Sequence, residues 1–274
     1  MNPSRRILAE ITRSGDRMVD LGQAALLIAQ EDCPGLEVRP YILRLDQLAE
    51  SAADVVRGLG QEDGTAALVA HLFSREGFRG NEDHYYDPRN SYLNEVLDRR
   101  LGIPITLAIV AMEVARRLHL PLTGVGLPGH FVLRYSAKGE LLFDPFRGGR
   151  RLSLEDCREL VSRVSGEVFP LRPEHLRSAT KHEILIRILR NLKSAHMRAE
   201  DLPRTLAAVE RIMMLDPDDH SEIRERGTIL AKMGLTTKAL VDLETYIRLE
   251  PDAADSEDVW EQVRSIRGAR SLLN

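Results

Sequence analysis

The chain has 274 residues, 43% hydrophobic and 29% charged, a composition that belongs to a folded globular protein and excludes disorder. Its 38 lysines and arginines nearly offset 42 aspartates and glutamates, so no global field gathers nucleic acid or an anionic membrane surface. The two cysteines, Cys33 and Cys157, lie far apart with no metal-ligand spacing and fit a reducing compartment, as free surface or core thiols.

At the N-terminus only Ile7-Leu8-Ala9 precedes Glu10, too short an apolar run for a secretory signal core, so a cytoplasmic location is expected. The first hundred residues predict helices. Met18–Gln30 carries a stripe of Val19, Leu21, Ala24, Ala25, Leu27 and Ile28 and stops at Cys33-Pro34-Gly35. Pro40–Leu59 follows, with Tyr41, Leu43, Leu45, Leu48, Ala52 and Val55-Val56 as its buried face. Gly64–Glu76 is expected to bury Ala67, Leu68, Leu72 and Phe73. The loop Gly80–Asn90 is polar and aromatic. Glu82, Asp83, His84 and Asp87 have the chemistry of metal ligands but neither a helical i, i+4 pair nor a fixed Cys/His spacing, so no metal is assigned. The plainer reading is a loop tied by Asx-type bonds, with Tyr85 and Tyr86 packed on a helix Tyr92–Arg100 that Asn90 or Ser91 caps.

Gly102 is read as the end of that helix, and Pro104 suits the first turn of the next, where a missing N–H costs nothing. Ile105–Leu118 is apolar on nearly every side and belongs in the middle of a domain. Its apolar stretch Ile103–Val114 contains Glu113 and falls short of the ~20 residues of a membrane span. After Pro121 the period changes to two, predicting strands Thr123–Leu127, His130–Tyr135 and Glu140–Asp144 with a hairpin at Ser136-Ala137-Lys138-Gly139. Hairpin register decides whether His130 meets Asp144. A three-residue loop Ala137-Lys138-Gly139 pairs Ser136 with Glu140, sets Asp144 opposite Val132 and leaves His130 a diagonal neighbour at ~7–8 Å between backbones. The carboxylate then orients the imidazole as in a nucleophilic triad. A four-residue loop separates the two, and His130 is then a polar group at a strand end.

The C-terminal part repeats. Leu215-Asp216-Pro217-Asp218 recurs as Leu249-Glu250-Pro251-Asp252, the period of about 34 residues that marks tetratricopeptide helix pairs. Thr205/Ala239, Leu206/Leu240, Val209/Leu243 and Ile212/Tyr246 share the offset, and Gly227 and Ala239 stand where paired helices approach closely. The expected architecture is α+β and mainly helical: residues 1–180 as one domain with a small antiparallel sheet, and 181–274 as a repeat domain. Its repeats span about 186–219 and 220–253, followed by a capping helix Ser256–Arg267.

The central helix entered through Gly102-Ile103-Pro104, the Gly129-His130-Phe131 strand and Phe143-Asp144-Pro145-Phe146 together resemble the transglutaminase-like fold of the papain-type superfamily. More narrowly, Tyr86-Asp87-Pro88-Arg89-Asn90-Ser91-Tyr92-Leu93-Asn94-Glu95-Val96-Leu97 followed by Gly102-Ile103-Pro104-Ile105 is similar to the SirB-type bacterial family, which joins such a domain to tetratricopeptide repeats. The resemblance places a nucleophilic cysteine at the start of the central helix, two residues after a glycine. That position here is Pro104, or Ile105 or Thr106 if the alignment slips by one or two; neither proline nor isoleucine has a nucleophilic atom, while His130 and Asp144 keep their places. Thr106 offers a hydroxyl in the first turn, equally explained by a bond to nearby backbone, and Cys157 falls after the aspartate on a different helix. Tyr85, Tyr86, Asn90, Asn94 and Pro104 are the candidates for lining a cleft. The expected role is a non-catalytic adaptor or regulator for a protein or peptide partner, with no cofactor, no metal, no nucleic acid and no membrane. The alternative is an amide hydrolase or acyl transferase using Thr106 or another nucleophile with His130 and Asp144.

Overall fold

A computed structural model describes residues 3–13, 15–135, 141–166 and 170–271, and the chain is α+β and mainly helical. It divides into two compact units, residues 1–188 and 189–274.

The first unit opens with α1 (Pro3–Arg13), α2 (Leu21–Asp32), α3 (Val38–Val56) and α4 (Gln61–Ala70), the last running into a π-helical turn at His71–Arg75. The second of these starts later than its apolar pattern suggests, because the Asp20 carboxylate accepts from Gln23 N at 2.9 Å and sets the cap. Along α3 the buried positions are Leu45, Leu48, Ala49 and Ala52, one helical stripe; Leu43 lies off it and is half exposed, contrary to expectation.

Strand β1 (Arg79–Gly80) pairs in parallel with β2 (Leu101–Gly102), which directly follows α5 (Leu93–Arg99). Neither strand is foreseen in the sequence, and Gly102 does not end the helix. Arg100 does, in the left-handed region at φ 58, while Gly102 is held in the pair with Gly80. A Cβ at Gly102 would sit 2.8 Å from Thr106 Oγ1, so the glycine serves close approach.

Helix α6 (Pro104–Arg117) is buried at every position from Pro104 to Ala115. Against it lies an antiparallel meander of β3 (Leu122–Leu127), β4 (His130–Tyr135), β5 (Leu141–Asp144) and β6 (Arg150–Leu152), in that order. A two-residue turn at Pro128-Gly129, with Gly129 at φ 67, joins the first two strands and pairs Leu127 with His130. Between β4 and β5 the pairs are Leu133–Phe143, Arg134–Leu142 and Tyr135–Leu141, the register in which Asp144 follows opposite Val132. The hairpin loop expected at 136–139 lies outside the described residues. Helix α7 (Leu154–Ser165) begins in a capping box between Ser153 and Asp156, and its Cys157 is buried with Val132, Leu142 and Leu160.

Helix α8 (Lys181–Arg198) starts in a second capping box: Glu183 N donates to Thr180 Oγ1 at 3.1 Å and Thr180 N to Glu183 Oε2 at 2.8 Å. The Arg177 guanidinium, paired with the same carboxylate, is the main reason the Glu183 carboxyl is held at about 2. A depressed carboxyl stabilises the fold above its unfolded value, near 4.5, and that contribution vanishes as pH falls through the folded value. The stability gap between wild type and Glu183→Gln, read from amide protection in the first turn of α8, is therefore expected to close between about pH 4.5 and 2. A gap constant across that window would refute the assignment.

The second unit begins within α8, at Leu189, and continues with α9 (Leu202–Leu215), α10 (Ser221–Lys232), α11 (Thr236–Leu249) and α12 (Ser256–Ser271). The ends of α9 and α11 carry the sequence offset of the Leu-Asp/Glu-Pro-Asp repeats. Gly227 lets α10 approach α11, since a Cβ there would meet Leu243 Cγ at 2.8 Å and the Ala239 carbonyl at 3.2 Å. Leu240, Leu243, Tyr246 and Ile247 pack on Val259 and Val263 of α12. No helix among the described residues is long and apolar enough to cross a membrane.

Candidate functional site

Asp144 ends β5 wholly buried, and the Asp-Pro-Phe sequence turns the backbone back over its own carboxylate. Oδ1 accepts from Phe146 N at 3.0 Å, from Arg147 N at 3.3 Å and from His130 Nε2 at 3.0 Å. Oδ2 has no partner among the described residues. Because an ionised carboxylate only accepts, the network assigns the imidazole proton to Nε2 and leaves Nδ1 as an acceptor in the neutral ring. The structure thus brings His130 and Asp144 together.

An aromatic wall continues from the pair. The His130 ring meets Phe146 edge-on at 6.4 Å between centroids, Phe146 meets Tyr85 at 5.7 Å, and Tyr85 meets the exposed Tyr86 at 5.3 Å. Gly80 makes room for the Phe146 ring, which a Cβ there would touch at 2.5 Å. Arg187 of α8 closes the other side. Its Nη2 donates to the carbonyls of Leu127 at 2.9 Å and His130 at 2.7 Å, with the guanidinium over the Phe131 ring at 5.6 Å. Burial pushes the Arg187 guanidinium below its ordinary range and the Tyr85 phenol above its own.

The start of α6 is occupied by structure. Pro104 is buried in the first turn; the buried Thr106 hydroxyl donates to Asn90 O at 2.7 Å and accepts from Ile103 N at 3.2 Å. Among the described residues His130 is not one of its hydrogen-bond partners. Asn90, also fully buried, is the hub of the preceding loop: Nδ2 donates to the carbonyls of His84 and Tyr85, and Oδ1 accepts from Asn81 and Arg99. It ties the Tyr85 loop to α6. Asn94 is buried as well, its Oδ1 without a partner among the described residues. Of the acidic loop residues, Asp87 accepts from Arg89 N at 2.9 Å and pairs with the Arg89 guanidinium at 2.7 Å. Burial opposes ionisation of Asp87, but these bonds outweigh it and hold the carboxyl below the usual range.

Sequence reasoning singles out neither Phe146 nor Arg187. The first stands inside the Phe-Asp-Pro-Phe segment. The second was marked by one signal, an arginine interrupting the apolar run Ile184-Leu185-Ile186-Arg187-Ile188-Leu189.

Comparison with known proteins finds relatives of this chain. A family model described as the transglutaminase-like superfamily matches residues 39–190, and a tetratricopeptide repeat model matches 192–264. A UPF0162 protein of Xylella fastidiosa (strain Temecula1) is 40% identical over 245 residues, 86% of each chain. A UPF0162 protein of Pseudomonas aeruginosa is 35% identical, over 89% of this chain and 87% of its own. Protein SirB1 of Salmonella typhimurium is 29% identical over 89% of this chain and 90% of its own.

Proposed function

Because this chain belongs to the transglutaminase-like family of UPF0162 and SirB1 proteins, with tetratricopeptide repeats behind the transglutaminase-like domain, we propose that it is a non-catalytic adaptor or regulator acting through protein interaction. One observation supports the reading: Pro104, which the resemblance to the papain-type fold puts where a nucleophile would stand, is buried in the first turn of α6 and has no nucleophilic atom. Thr106 is a poor substitute, since its hydroxyl is spent on the Asn90 carbonyl and the Ile103 amide. Tetratricopeptide repeats generally mediate protein–protein contact, and here α9, α10 and α11 line a groove of about 410 Å³ with Leu206, Leu230, Leu235 and Val241.

The second reading, an amide hydrolase or acyl transferase, draws on the His130–Asp144 bond at 3.0 Å. A screen of amide and ester substrates separates the two. Equal signals from wild type and His130→Ala are expected, and turnover lost in His130→Ala would establish the enzyme instead.

For the repeats, Val241 is 61% exposed, so Val241→Asp is expected to change stability by no more than about 0.5 kcal/mol while abolishing capture of protein partners from cell extract. Undiminished capture by this variant, folded by circular dichroism, would remove the groove from the proposal.

A further inference from the structure

The geometry points to a binding site for the C-terminal residue of a peptide at the mouth of the His130–Asp144 pair, with Arg187 and Tyr85 taking the carboxylate and His130 Nδ1 the adjoining amide N–H. Arg187 is largely withdrawn from water, yet among the described residues no carboxylate pairs with it. A partly buried cation held by two neutral carbonyls and an aromatic ring is under-compensated, and an anion arriving beside it recovers what desolvation took away. Both hydrogens of Nη2 are committed to the Leu127 and His130 carbonyls. Nη1 lies beside the exposed Gly126, where a Cβ would come within 3.2 Å of it, so the missing side chain keeps that nitrogen open.

Two more groups flank the end of β4 that Arg187 holds by the His130 carbonyl. The half-buried Tyr85 hydroxyl makes no hydrogen bond among the described residues, and its ring stands edge-on to Phe146, the ring that also meets His130. His130 Nδ1 is unpartnered among them too, and with the proton on Nε2 it accepts a hydrogen bond. Two donors and one acceptor, bridged by the Phe146 ring and the His130 carbonyl, are the complement of a carboxylate with a neighbouring amide N–H. That pair of groups is the end of a polypeptide chain. The charge count agrees: Arg187 is the positive charge of the site and Asp144 stands behind the imidazole, so a singly charged carboxylate suits it better than a doubly charged phosphate. The Phe146, Tyr85 and Tyr86 rings offer a surface for the terminal side chain.

The biological use of such a site rests on the interaction reading above, while its chemistry does not. The test is a titration of the full chain with N-acetylglycine, N-acetylglycine amide and inorganic phosphate, followed by the NMR signals of the His130 and Tyr85 rings. Saturable shifts with N-acetylglycine and none with its amide are expected. Affinity should fall about tenfold in Arg187→Met and about threefold in Tyr85→Phe, which keeps its ring contacts and loses one hydrogen bond. Equal binding of acid and amide, tighter binding of phosphate, or an acid affinity unchanged in Tyr85→Phe overturns the proposal, the last even if Arg187→Met does not fold. Turnover lost in His130→Ala would strike the interaction reading alone, and failure of N-acetylglycine to bind would strike this site alone.

Discussion

Truncating Asp144 to alanine is expected to cost the first unit about 3–5 kcal/mol, because it strips one buried, charged acceptor from three partly buried donors at once. The amides of Phe146 and Arg147 close the turn after β5 on this carboxylate, and each hydrogen bond to a charged acceptor contributes about 1.5–3 kcal/mol. Water entering the space left by the carboxylate offsets part of the sum. Asp144→Asn separates geometry from charge. An amide oxygen in the place of Oδ1 keeps all three bonds, and the amide nitrogen takes the place of an oxygen that has no partner among the described residues. Its cost is expected to be about 1–2 kcal/mol. Native-state hydrogen exchange of the β4 and β5 amides in low urea reads these changes, while Trp260 fluorescence follows α12 in the second unit. Equal losses in the two variants would mean that Asp144 holds the turn by volume and not by accepting hydrogen bonds.

The dyad was legible in the sequence because it depends on parity. Strand residues alternate faces, so a count across the hairpin decides whether residues 130 and 144 share one, and the observed β4–β5 pairs have the register of the three-residue count. The repeats were legible because a fixed offset survives substitution: Thr205 and Ala239 differ, yet both are buried at equivalent points of α9 and α11. Elements with no period escaped. Two residues of β1 and two of β2 cannot alternate long enough to register, and β6 reads Arg-Arg-Leu, which announces a surface. Gly102 was misassigned as a helix stop because a glycine after a periodic run has that meaning by default; the local sequence does not reveal that Thr106 and β1 press on it from outside. Arg187 escaped for the same reason. Its role arises from the approach of α8 to the carbonyls of the β3–β4 turn, a tertiary fact that the break it makes in the apolar run 184–189 does not reveal.

Replacing Arg117 by methionine is expected to cost about 3–5 kcal/mol, more than removing the carboxylate it serves. Glu113 sits near the end of α6, 2% exposed and, with Thr106, one of two polar side chains on the helix's buried length, and α2 crosses it at Gly22, where a Cβ would touch Oε2 at 3.1 Å. Its compensation comes from Arg117 Nη1 at 2.7 Å and Arg116 Nη2 at 2.9 Å. Arg116 is half exposed and shares its charge with Asp20, so Arg117 supplies most of the neutralisation. Methionine keeps the aliphatic stem and removes only the charge and its hydrogen bonds, which leaves a buried carboxylate with one loosely held partner. The reverse truncation, Glu113→Ala, leaves two cations that reach water or Asp46, and about 2–3 kcal/mol is expected from the cavity and the lost bonds. Losing both ends removes the charge problem along with the pair. The Glu113→Leu/Arg117→Met double variant should therefore be more stable than the sum of its two single substitutions by at least about 1 kcal/mol. Strict additivity in urea denaturation, monitored by exchange of the α6 amides, would show that the three side chains act through packing and not as an ion cluster.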